Sequence, residues 1–357
     1  MSKIMMFVSA VQDKFKENEL LVKPKLFNVN GGEGYEDQML VGGNPTGISN
    51  LNQQRYGWVA PLYRTMVGNF WLPQKVSLAE DRVTIKNLTE DEDKAVRDTL
   101  SFLIFLDSFQ TNNLPNVVEY ITNPGVKNLI HVQTFQEVVH TEAYQYILES
   151  LYPSLERDAI YNRWRDNSVL QKRNKMVADI AEEFVEQRNE ESFKKVLCAN
   201  LALEGVYFYQ GFNLFDQLAH RKKLVQVDKE IDYIRRDELT HLGIFVNIIK
   251  EYDKKEIRDI AYSVFEQAAE QEIEWCKSTY SNRILGISEK SSESYVKYLV
   301  NDRLNRIGLE PLYEKVENPY KHIEQSQNEG QKRENFFESG AVTSYDMADS
   351  VEGWDDF

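Results

Sequence analysis

The 357-residue chain sets 42 Lys and Arg against 57 Asp and Glu, a net charge of −15, which argues against broad binding to a phosphate backbone. No apolar run approaches the roughly 20 residues of a membrane span, and the start, MSKIMMFVSAVQDKFKENE, becomes charged too soon for a secretory signal. Cys198 and Cys276 form no C-x-x-C pair, so neither a disulfide framework nor a substrate-reducing dithiol is encoded, and a reducing, cytoplasmic setting is expected.

Residues 1–50 read as a polar, glycine-bearing arm. Gly42 to Gly47 has the look of a turn and lacks the lysine of a phosphate-binding loop, so direct nucleotide binding has no support. Residues 51–321 carry helical patterning near 52–67, 90–112, 126–152, 156–164, 168–188, 191–219, 225–251, 254–282 and 290–306. Strand signals are nearly absent, and long helices with few glycines or prolines predict an all-α bundle.

Along that bundle, polar groups interrupt apolar stripes. Trp71, in Asn69-Phe-Trp-Leu-Pro73, reads on its own as a packing residue. Thr89 and Glu92 make a capping box. Behind it Val96, Leu100, Leu103 and Ile104 share a face that Asp107 continues. Glu137 and His140 fall among Ile130, Tyr144, Ile147 and Leu151. Glu204 interrupts Leu197, Leu201, Phe208, Phe212 and Phe215. Glu238 and His241 fall among Ile231, Ile234, Phe245 and Ile248. A carboxylate in a core position costs several kcal/mol unless its charge is compensated.

Glu137/His140 and Glu238/His241 are each spaced i, i+3, so both side chains lie on one helix face and reach a single ion. Two such pairs, completed by one carboxylate from each of two other helices, describe the dinuclear centre of a ferritin-like bundle. Asp107 leads Glu137 by 30 positions, and Glu204 leads Glu238 by 34, a repeat that a pseudo-twofold site requires. Four carboxylates balance two divalent cations, and this ligand set suits iron and manganese alike. Asp237, beside Glu238, is the natural hydrogen-bond partner for a ligating histidine.

Past His322 the helical pattern dissolves. Beyond Arg333 every charged side chain is acidic, yet Phe336, Phe337, Tyr345, Trp354 and Phe357 punctuate the segment. Large aromatics on a flexible acidic end, 322–357, suit a docking peptide.

At Phe102–Gln110 (FLIFLDSFQ), Phe135–Ile147 (FQEVVHTEAYQYI), Leu203–Phe212 (LEGVYFYQGF) and Ile234–Leu242 (IRRDELTHL) the chain resembles the small, radical-generating subunit of class I ribonucleotide reductase. The likeness runs from about Leu51 to Arg306. It implies that Asp107, Glu137 and His140 hold one metal and Glu204, Glu238 and His241 the other, two iron ions per chain or manganese instead. It further implies that Tyr144 carries a stable radical. Asp237, bonded to His140, would with Trp71 and Tyr345 relay the oxidising equivalent to a large catalytic subunit gripped by the tail. A homodimer follows from the likeness too, as does a flavoprotein activator if manganese is used. Two other functions share these ligands. An oxygenase would need an open pocket, whereas Tyr144, Phe208, Phe212 and Ile234 are expected to close that space. A metal-storage protein would take up more than two ions per chain.

Overall fold

The computed structural model describes residues 20–50 and 52–321. The described residues fall in two units, which meet in sequence between Val316 and Glu317. The segment 322–357, expected from the sequence to dock a partner, lies with Tyr345 outside the described residues, as do residues 1–19 of the N-terminal arm. Among the described residues no strand forms; Leu20 with Asn189 and Gly32 with Pro45 make only isolated bridges.

The helices are α1 (Val59–Gly68), α2 (Asp81–Thr84), α3 (Glu90–Val118), α4 (Pro124–Leu151), α5 (Ser154–Asn162), α6 (Ser168–Gln187), α7 (Glu190–Ala202), α8 (Phe208–His220), α9 (Val225–Ile249), α10 (Lys254–Thr279) and α11 (Glu289–Arg306). Short 3₁₀ turns lie at Pro73–Lys75, Ile85–Asn87 and Arg163–Arg165, and a π-helical turn, Leu203–Tyr207, joins α7 to α8.

Local chemistry explains where these helices start. Thr89 accepts from the Glu92 amide at 3.2 Å while Glu92 accepts from the Thr89 amide at 2.9 Å, the reciprocal cap of α3. Asn123 caps α4, whose first residue is Pro124, where a missing N–H costs nothing. No side chain of its own caps α9. Asp81 of α2 instead accepts from the amides of Gln226 and Val227 at 2.9 and 2.8 Å.

Three boundaries differ from the sequence expectation. The helix expected from 52 begins only at Val59, after Gly57, which weakens helix propagation. α3 continues to Val118, because Pro115 lies in its last turn and forfeits only one ladder bond. The segment expected as one helix over 191–219 is split by the π turn. α3 packs along α4, α9 packs on α4, α7 and α8, and the π turn contacts α9. These elements enclose the core that holds the site.

Candidate metal centre

The six candidate ligands arrive from four elements of this core. Asp107 comes from α3, Glu137 and His140 from α4, Glu204 from the π turn, and Glu238 and His241 from α9. All six are fully buried. They form two overlapping clusters, Asp107–Glu137–His140–Glu238 and Glu137–Glu204–Glu238–His241. Within each cluster one ligand atom per residue lies within 4.8 Å of the others. Glu137 and Glu238 belong to both.

The histidines are aimed by what holds their far nitrogens. His140 Nε2 lies 3.3 Å from Asp237 Oδ2, which directs Nδ1 to Glu238 Oε1 at 3.2 Å and Glu137 Oε2 at 3.4 Å. His241 Nε2 lies 3.1 Å from Gln136 Oε1, which directs Nδ1 to Glu238 Oε2 at 3.0 Å and Glu137 Oε1 at 3.3 Å. With each Nε2 turned outward to an acceptor, Nδ1 is the nitrogen that faces the cluster, and its lone pair would serve a metal ion once its proton is displaced. Trp71 Nε1 donates to the same Asp237 Oδ2 at 2.8 Å. Trp71, Asp237 and His140 therefore form one continuous hydrogen-bonded line.

The carboxylates show a complementary pattern. Gln110 and Gln133 both donate to Glu204 Oε1, Gln133 at 2.8 Å, and Gln133 also reaches Glu137 Oε1 at 3.2 Å. Both Asp107 oxygens, Glu137 Oε2, Glu204 Oε2, Glu238 Oε1 and His140 Nδ1 are buried without a hydrogen-bond partner. Buried acceptors are rarely orphaned, and here so many of them face one another. A pair of cations fits this donor set in charge and in ligand type.

Protons crowd the same space. Burial and the negative charge of Glu137 push the Asp107 carboxyl well above its usual range. Burial and the charges of Glu204 and Glu137 push Glu238 up to about 8. Glu204 moves the other way, because its polar approaches to Glu238 and His241, the His241 charge and the Gln110 hydrogen bond outweigh its burial. Burial disfavours charged His140 and His241, yet the surrounding carboxylates win and hold both well above the usual imidazole range.

Tyr144 is fully buried on α4, and its hydroxyl has no hydrogen-bond partner. Burial, then the charges of Asp107 and Glu238, raise its phenol well above the usual value, so it stays protonated. Phe208 and Phe212 stack with ring centres 5.8 Å apart and, like Ile234, are buried.

Sequence reasoning had not singled out the three glutamines. Gln110, Gln133 and Gln136 are polar residues on buried stripes, the same signal that marked Asp107. It also passed over Tyr233, which stacks on Trp71 at 5.1 Å, and the two buried arginines that meet the π turn, Arg303 and Arg173.

Fold and site together define a metal-binding protein of the ferritin-like, dinuclear carboxylate class. Its sequence places it within that class: the family "Ribonucleotide reductase, small chain" matches residues 48–319, and the chain belongs to it. The ribonucleoside-diphosphate reductase subunit beta of Treponema pallidum is 37% identical over 84% of this chain and 87% of its own length. The R2 subunit structure from Clostridium botulinum superposes with a TM-score of 0.82 at 38% identity, covering 86% of this chain and 99% of that one. The dimanganese(II) NrdF of Streptococcus sanguinis, at TM-score 0.62 and 21% identity over 75% of this chain and 94% of that one, shares the fold. The chain is thus the small subunit of a ribonucleoside-diphosphate reductase, an oxidoreductase component that works with a large subunit.

Proposed function

We propose that Asp107, Glu137, His140, Glu204, Glu238 and His241 hold two metal ions, and that Tyr144 stores the oxidising equivalent that starts ribonucleotide reduction in the large subunit. The observation that carries this reading is a fully buried, unpartnered phenol beside a cluster of unpartnered carboxylates. The bound metal pair would supply oxidising power when its reduced form meets an oxygen species. The rest is the work of side chains. Tyr144 would give up one electron to the oxidised metal centre and its phenolic proton to a neighbouring carboxylate, Asp107 being one whose charge already acts on the phenol. Phe208, Phe212 and Ile234 offer no readily oxidised or acidic group and exclude water, so the resulting phenoxyl radical is slow to quench.

Trp71 Nε1–H, Asp237 Oδ2 and His140 Nε2 provide the line along which an electron and a proton move together between the surface and the site. A groove of about 340 Å³ reaches Trp71 and Asp237, flanked by Val67, Phe70 and Phe135. All three of these are exposed, apolar surface that suits the second copy of a homodimer. Tyr345, on the tail that would dock the large subunit, completes the relay. Iron is the metal we assign, with manganese, and then a flavoprotein activator, as the alternative. Cytoplasmic residence agrees with two buried, unpaired cysteines.

Turnover tests the reading. Metal-loaded protein mixed with the large subunit should convert a ribonucleoside diphosphate to its deoxy form, and Tyr144→Phe should fall to the background rate. Full turnover by the variant would contradict it.

A further inference from the structure

The π turn that carries Glu204 is held by two buried cations from outside the ligand set. Arg303 of α11, 4% exposed, donates from Nε to the Gly205 carbonyl at 3.0 Å. Arg173 of α6, fully buried, donates from Nη2 to the Tyr207 carbonyl at 3.4 Å. Asp302 pairs with Arg303 through Nη1, and Glu272 pairs with Arg173 through the same Nη2 that meets Tyr207, so each buried charge has a carboxylate partner. The guanidinium groups also lie against aromatic rings: Arg173 is 3.7 Å from the Phe102 ring centre, and Arg303 is 4.7 Å from that of Tyr209.

A π turn interrupts the i→i+4 ladder and is seldom adopted without a functional cause. Its carbonyls sit in a dry core, where backbone acceptors need donors. Burying a guanidinium to supply one is costly unless something is gained by it. Gly205 shows how close the approach is. A β-carbon there would lie 2.9 Å from Arg303 Cγ and 2.8 Å from Leu242 Cδ1, so a bare backbone at 205 is what admits the arginine. The neighbouring residue is Glu204, whose Oε1 is fixed by two glutamines and whose Oε2 is free toward the second cluster.

We propose that Arg303, assisted by Arg173, is a positioning residue that holds the π turn open and thereby aims Glu204 at the second metal. The inference rests on the reading of Glu204 as a ligand. If the turn relaxed to a regular α ladder, the extra residue would be absorbed and Glu204 would swing by roughly 100° around the helix axis, away from the cluster. Asp107 and His140, carried on α3 and α4, would be untouched.

Cobalt(II) titration of the metal-free full-length chain, followed by visible absorption, separates the possibilities. The parent should bind two ions, and Glu204→Ala should lose the second. Arg303→Met, with helix content checked by circular dichroism, should weaken the second ion by roughly 10–100-fold and leave the first in place. Arg303→Lys keeps a donor and should fall between. Unchanged binding in Arg303→Met, or equal weakening of both ions, would overturn the clamp. Should Arg303→Met fail to fold, Arg303→Lys must itself show the selective loss, and its absence is equally fatal. Two undisturbed ions in Glu204→Ala would instead remove the ligand assignment beneath the proposal.

Discussion

The site has two halves built on one plan, and their differences point to where the chemistry goes. Each half has a Glu-x-x-His pair, on α4 and on α9. In each, the residue before the glutamate serves the opposite histidine: Asp237 meets His140, and Gln136 meets His241. Four residues beyond each histidine comes a buried ring, Tyr144 in one half and Phe245 in the other. The His140 side therefore has an oxidisable phenol, a carboxylate behind the histidine and Trp71 behind that. The His241 side has a phenyl ring and a neutral amide, whose Nε2 ends on the Met66 carbonyl at 3.3 Å. On the function proposed above, a near-symmetric frame would suffice to bind two ions, and the asymmetric surroundings would give one side a route for charge.

The largest expected effect comes from moving the phenol across that frame. Tyr144→Phe should abolish nucleotide reduction, and adding Phe245→Tyr should not restore it, because the hydrogen-bonded line behind that half ends on the Met66 carbonyl and includes no oxidisable ring. Activity in the double variant would break the comparison.

Next come the two histidine partners. Asp237→Asn and Trp71→Phe should lower turnover with the large subunit by more than about tenfold while two ions still bind. Gln136→Ala should instead act on metal affinity, by roughly tenfold or more. Metal analysis beside a turnover assay reads both.

A smaller effect lies in proton release. Because Glu238 is pushed up to about 8 and Asp107, His140 and His241 are also raised, the metal-free site holds protons at neutral pH that cations must displace. Loading should acidify a weakly buffered solution, and affinity should fall as pH drops below about 8. Titration calorimetry in buffers of different ionisation enthalpy would count those protons; none released would contradict the assignment.

The smallest effect contrasts these acids with one that no metal serves. Glu230 of α9 is fully buried, neither of its oxygens has a hydrogen-bond partner, and burial and the Asp81 charge raise it from 4.5 to about 9. An acid held above its unfolded value is harmless below about 4.5 and destabilising as pH rises toward 9. Glu230→Gln should leave stability nearly unchanged at pH 5 and raise it by roughly 1–3 kcal/mol at pH 8, measured by urea unfolding. The same gain at both pH values would remove titration as the cause.

Much of this plan is legible in the sequence because helices impose fixed spacing. Glu and His at i, i+3 must share a face, and an acid on an apolar stripe must answer to something. Those two facts led to all six candidate ligands, which the fold gathers into the two clusters. The likeness to a known family added the pairing of Asp237 with His140 and Trp71, contacts between residues 97 and 166 positions apart that no local pattern encodes.

The π turn was hidden for a different reason. Residues 196–218 are buried on every side, so no polar face marks the helical phase, and one inserted residue leaves no trace in the pattern. The donors that hold it, Arg303 and Arg173, come from other helices, 98 and 34 positions from the carbonyls they meet. The start of α1 was misread because apolar spacing alone does not register the cost of Gly57.

The most direct test of the account is an electron paramagnetic resonance spectrum of metal-free protein loaded with Fe(II) without oxygen and then exposed to it, beside Tyr144→Phe. An organic-radical signal in the parent that disappears in the variant, with two ions bound in both, is the predicted result. A parent that binds two ions, takes up oxygen and shows no such signal, or a signal that survives Tyr144→Phe, would contradict the claim that Tyr144 stores the oxidising equivalent.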